Sequence, residues 1–94
     1  MASTLSMLQA CGKDQELFRT HVDRLSLNTL RALRESNETT AARIAARLRA
    51  ECGGRPAGGD CEALASLDAC LKSNEQTLSD VIGRSQGPHA RRAR

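Results

Sequence analysis

At 94 residues and 10.1 kDa the chain has room for one small domain. Leu, Ile, Val, Met and Phe number 19 against 14 Ala, and Phe18 is the one aromatic residue, which excludes a large core, an aromatic-walled ligand pocket and a base-stacking platform. The net charge of +3 sits at the end: residues 1–83 hold 10 basic and 11 acidic side chains, and Arg84, Arg91, Arg92 and Arg94 follow with no acid among them.

Ala, Leu, Arg, Glu and Gln favour helix, and the strand-favouring Val, Ile and aromatic residues total five, so the fold class is all-α. Residues 1–12 predict a short helical segment capped by Ser3 or Thr4 and closed by Gly12. This start lacks a positively charged n-region and a long apolar run, and it lacks the Arg of a cleaved mitochondrial presequence. The expectation is an intracellular, non-secreted protein, cytoplasmic or nuclear, in which the Asn37-Glu38-Thr39 sequon meets no glycosylation machinery. No run approaches the 18 apolar residues of a membrane span.

A long helix is predicted from Asp14 toward Cys52, because neither Pro nor Gly interrupts it. Gly53-Gly54-Arg55-Pro56-Ala57-Gly58-Gly59 then forms the turn, and a second helix over 61–82 follows Asp60 as its N-cap. Gly83 marks its end and Gly87-Pro88 bars continuation, which leaves 84–94 as a basic disordered tail. The architecture expected over 13–83 is a coiled-coil-like antiparallel helical hairpin.

Apolar spacing supports the hairpin. Leu64, Leu67, Leu71, Asn74, Leu78 and Val81 follow a three-four heptad rhythm, as do Leu27, Leu30, Arg34, Asn37, Ala41, Ile44 and Leu48, with Leu33 on the same face. Folding the chain back at the turn sets Asn37 opposite Asn74, Ile44 opposite Leu67, Ala41 opposite Cys70, Leu33 opposite Leu78 and Leu30 opposite Val81. The expectation is an Asn37–Asn74 amide pair that fixes the register, since an Asn facing Leu leaves a buried polar group unpaired at a cost of about 1–3 kcal/mol.

The helices are unequal: one over 14–51 spans about 57 Å and one over 61–82 about 33 Å. The overhang carries an apolar stripe of Leu17, Phe18, Val22 and Leu25. Either the N-terminal segment turns at Gly12 and covers it, giving a three-helix bundle, or another protein does. A two-helix hairpin with so few large side chains has a stability near zero, so a partner, a third helix, self-association or a covalent staple is required.

Cys52 and Cys61 flank the turn and suit a disulfide across the mouth of the hairpin. Cys70 falls in the predicted core and reads as a free buried thiol, and Cys11 reaches it only if the N-terminal segment folds back. Cys52, Cys61 and Cys70 recur every nine positions, and over the turn and second helix this resembles the coiled-coil-helix proteins of the mitochondrial intermembrane space. In that family two cysteine pairs, usually with nine intervening residues, staple a helical hairpin. Here eight residues intervene, Cys61 is shared and Cys11 lies far upstream. The resemblance implies an oxidising organelle and an accessory or assembly role.

No Cys pair has zinc-site spacing, the turn lacks the Gly-Lys-Ser/Thr of a phosphate loop, and His21 and His89 have no catalytic neighbours at a motif spacing. No metal or cofactor is expected and no catalysis. The reading that follows is a small helical subunit or adaptor of a larger multiprotein complex, presenting the Leu17 stripe to protein subunits or to a second copy of itself. Two alternatives stand beside it: the stapled intermembrane-space protein, and a nucleic-acid-associated protein anchored by the Arg tail.

Overall fold

A computed structural model describes residues 3–53 and 58–92, with side chains to Arg84. Three helices follow one another: α1 (Thr4–His21), α2 (Leu27–Cys52) and α3 (Gly59–Arg92), with a short 3-10 turn at Val22–Arg24 between the first two. No strand occurs among the described residues. α2 and α3 form the antiparallel hairpin, and α1 runs alongside α3 to complete an up-down-up three-helix bundle.

The break between α1 and α2 lies at Val22–Ser26, not at Gly12. Gly12 is interior to α1, and an isolated helical glycine costs only about 1 kcal/mol, less than the packing around it contributes. Ser3 caps α1 by accepting from the Ser6 N–H at 3.1 Å. Ser26 does the same for α2, accepting from the Thr29 N–H at 3.1 Å, after Leu25 has turned to extended backbone. Leu25 and Leu30 lie immediately before the cap and four residues into the helix, and both belong to one apolar cluster. They are a hydrophobic staple that fixes how the chain enters α2.

The other end of α2 follows the sequence closely. Gly53 adopts φ +61°, a left-handed conformation open to glycine at little cost, and its N–H donates to the Leu48 and Arg49 carbonyls. Residues 54–57 of the predicted turn lie outside the described residues. Arg47 bridges the two helices beside this turn, 3.0 Å from Glu51 and 3.7 Å from Asp60. The Glu51 hydrogen bond and charge, with a smaller contribution from Asp60, hold its guanidinium above the usual arginine range.

α3 starts at Gly59 and its backbone remains helical through Gly83, Gly87 and Pro88 to Arg92, beyond the predicted end near Gly83. Val81 and Ile82 are buried and anchor the helix up to that glycine. The basic segment is thus drawn as helical backbone as far as Arg92; Arg94 lies outside the described residues, as do the side chains of Arg91 and Arg92.

The core forms two clusters. One gathers Phe18, Val22, Leu30, Leu78, Val81 and Ile82 near the α1–α2 turn, and the other gathers Cys11, Ile44, Leu64, Leu67 and Leu71 toward the opposite end. Each apolar pair expected across the hairpin shares a cluster: Leu30 with Val81, Leu33 with Leu78, Ala41 with Cys70, and Ile44 with Leu67. Leu33, Ala41 and Leu48 are half-buried at the cluster edges.

A Cβ built at Gly12 meets nothing within 4 Å. Gly12→Ala is expected to stabilise the protein by about 1 kcal/mol, read as a rise in the midpoint of urea unfolding with unchanged slope. Ser26→Ala removes the α2 cap and lowers stability by about 1 kcal/mol, or about 4–8 °C in Tm for a domain of this size. A Gly12→Ala chain that is less stable than the parent would place a hinge at Gly12 after all.

Candidate functional site: an open groove between α1 and α2

The predicted interface stripe is largely spent inside the molecule. Phe18 and Val22 are 4% and 7% exposed against α3, and Leu25 is half-buried in the same cluster. The reason is the turn at Val22–Ser26: it sends α1 back along α3, so the chain covers its own stripe. Leu17 alone of the four stays exposed, at 47%.

The Asn pair is also rearranged. Asn37 donates its amide to the Leu71 carbonyl of α3 at 2.8 Å. Asn74, only 1% exposed, faces α1 and donates to both the carbonyl and the Sγ of Cys11 at 3.3 Å. The amides do not bond each other, because α1 occupies the side of α3 toward which Asn74 points. Each amide instead ties α3 to a different neighbour: Asn37 to α2, Asn74 to α1. Asn74 Oδ1 has no partner, a buried polar atom with the desolvation cost that entails.

The four cysteines form two disulfides. Cys52–Cys61 closes the mouth of the hairpin, as expected, with Cα atoms 5.9 Å apart. Cys11–Cys70 joins α1 to α3 with Cα atoms 6.4 Å apart, so Cys70 is not a free thiol. The missing signal was positional: a continuous α1 puts Cys11 beside Cys70, whereas a break at Gly12 leaves it in a separate segment. Gln15 adds a further tie, donating to the Ser73 hydroxyl at 3.3 Å.

α1 and α2 each pack on α3 and scarcely touch one another. Between them runs a groove of about 210 Å³, floored by Leu67 and Leu71 of α3. Met7, Cys11 and Phe18 line it from α1 and Leu33 from α2, with Ala10, Asp14, Ser36, Asn37 and Thr40 toward its rim. Leu17 falls seven residues after Ala10 and three after Asp14, which sets it on the groove side of α1. The volume lies below the roughly 300–1,000 Å³ of sites for drug-sized ligands. The walls are low because Ala10, Ser36 and Thr40 are small, and such walls admit a helix at close range.

This geometry is three corners of a four-helix bundle. In such a bundle each helix touches two neighbours and not the diagonal one. α3 has both neighbours, α1 and α2 stand on the diagonal, and the groove occupies the fourth corner.

Elsewhere, Arg84 reaches Asp23 at 3.9 Å by the α1–α2 turn, an exposed contact of little energetic weight. His21 is exposed, with Nδ1 2.6 Å from the Thr20 hydroxyl. Among the described residues no three His, Cys, Asp or Glu side chains converge as metal ligands, and no helix is long and apolar enough to cross a membrane.

The groove defines the chain as a disulfide-tied three-helix bundle with one open corner. No protein-family model matches the chain, and neither does any curated protein or solved structure.

The two staples differ in reach: Cys11–Cys70 spans 59 residues and Cys52–Cys61 spans 9. Loop-closure entropy assigns them about 4 and about 3 kcal/mol respectively. Cys11→Ser/Cys70→Ser is thus expected to destabilise the protein more than Cys52→Ser/Cys61→Ser, and paired urea unfolding curves measure the order.

Proposed function

We propose that this protein is a non-enzymatic helical adaptor, a small subunit that receives an amphipathic helix of a partner protein in the groove between α1 and α2. The observation that carries the reading is the open fourth corner with an apolar floor of Leu67 and Leu71, and helical spacing sets the exposed Leu17 on the same side of α1 as Ala10 and Asp14. A helix laid there buries its apolar face on the floor and completes a four-helix bundle. Asp14 supplies the one charge among the groove residues, so the fitting helix carries Lys or Arg on the edge that faces α1. The recognition surface is therefore the groove and Leu17, in place of the whole stripe expected from the sequence.

A second reading draws on the two disulfides. Bonds of this kind persist in oxidising compartments, which supports a stapled helical accessory or assembly factor of the mitochondrial intermembrane space. It is compatible with the adaptor role and differs in location. An in-cell alkylation assay separates it from a cytoplasmic or nuclear protein, whose cysteines are kept reduced.

The adaptor reading is tested with three variants of the tagged full-length chain: Thr40→Arg, which fills the groove, Leu17→Arg at its lip, and a truncation before Arg84. Partner capture is expected to fall about tenfold or more in the first two and to persist in the third, and an unfolding curve controls for stability. Capture that survives Thr40→Arg and fails on truncation, with a steep salt dependence, would move the function to the basic end and to nucleic acid.

A further inference from the structure

Cys11 stands in the wall of the groove, and the Cys11–Cys70 bond is the covalent tie that holds that wall to α3. Its two sulfurs differ in setting. Cys11 is 4% exposed, whereas Cys70 is half-buried on α3, so Cys70 is the more open of the two residues to an incoming thiolate. The buried Asn74 amide donates to Cys11 Sγ, which is where negative charge develops if the bond breaks toward Cys11. A Leu at position 74 would have continued the heptad of α3, yet the structure carries an amide there with one atom left unpartnered.

We propose that Cys11–Cys70 is an exchange latch: a dithiol reductant opens it by attack at Cys70, Cys11 leaves under the Asn74 amide, and release of α1 dismantles the groove. The reductant's thiolate forms a bond to Cys70 Sγ as the Cys11–Cys70 bond breaks. That electron pair passes to Cys11 Sγ, which takes a proton. The second thiolate of the reductant then attacks its own sulfur in the mixed disulfide and expels Cys70, which takes the second proton. The dithiol is oxidised to a disulfide, the protein disulfide is reduced to two thiols, and two protons move from one to the other.

Opening the latch removes the one covalent tie between α1 and α3. What then holds α1 is the packing of Thr4, Cys11 and Phe18 on α3 with the Asn74 and Gln15 hydrogen bonds, since α2 scarcely touches it. The regulatory consequence, that groove occupancy requires an oxidised latch, rests on the adaptor reading, and the exchange chemistry does not.

The oxidised full-length chain is exposed to limiting glutathione, quenched in acid and mapped for adducts. Glutathione is expected on Cys70, and an adduct on Cys11 would overturn the proposal. Hydrogen exchange is compared between the parent and Cys11→Ser/Cys70→Ser, which retains the other disulfide. α1 amides are expected to lose at least about tenfold more protection than those near Leu64 and Leu67, and an equal loss in both, or unchanged α1 protection, would refute the latch. In Asn74→Leu, opening of Cys11–Cys70 is expected to slow about tenfold with Cys52–Cys61 unaffected as the internal control. An equal change at both bonds would show a general effect on folding and count against Asn74; the adduct site and the exchange data decide the matter should that variant not fold. If those results hold while Thr40→Arg leaves partner capture intact, the latch stands and the adaptor reading falls.

Discussion

Everything in this molecule is arranged around α3, whose apolar arc is too wide for one neighbour to cover. Leu64, Leu67, Leu71, Leu78, Val81 and Ile82 are all buried, and α2 alone shields only part of that arc. α1 has to cover the rest. A bundle with 19 large apolar residues has little hydrophobic surplus to set against chain entropy, so each flanking helix is also tied to α3 by a disulfide and by an Asn amide on a backbone carbonyl. The covalent ties act chiefly by restricting the unfolded chain. The amides act by making a slipped register leave polar groups unpaired.

The groove is a consequence of the same arrangement. Because α1 and α2 stand on opposite sides of α3, the space between them is walled by small side chains and floored by leucines. On the proposed reading that surface receives another helix, its volume being below that of drug-sized ligand sites. The disulfide that fixes the α1 wall is also part of the groove, so on the proposed adaptor reading redox state and recognition are linked through a single helix.

The hairpin was legible in the sequence because heptad spacing is a local signal that survives into packing. The pairs Leu30/Val81, Leu33/Leu78 and Ile44/Leu67 all meet in common clusters, and the Cys52–Cys61 staple followed from its place beside the turn. The path of α1 was less legible. Gly12 is a weak breaker and the stronger signal lay in Leu25-Ser26 with Leu30, a cap and staple buried inside an uninterrupted helical pattern. That one boundary propagated: with α1 ending at His21, Phe18 and Val22 turn inward, Cys11 reaches Cys70, and Asn74 faces α1 instead of Asn37. Ile82 was missed for a related reason, since it packs on the flank that α1 covers and lies outside the two-helix heptad. The helical backbone of α3 beyond Gly83 has no local signal in the sequence, because Gly87 and Pro88 cost a helix about 1 and about 3 kcal/mol.

The most direct test of this account is the cysteine connectivity of the native protein, trapped with an alkylating agent and cleaved after glutamate without reduction. The account predicts peptide 1–16 joined to peptide 63–75, through Cys11 and Cys70, and peptide 52–62 closed on itself by Cys52 and Cys61. Cys11 bonded to Cys52 or Cys61, or alkylated as a free thiol beside an intact Cys52–Cys61 bond, would show that α1 is not held along α3 and would contradict the bundle and its groove together.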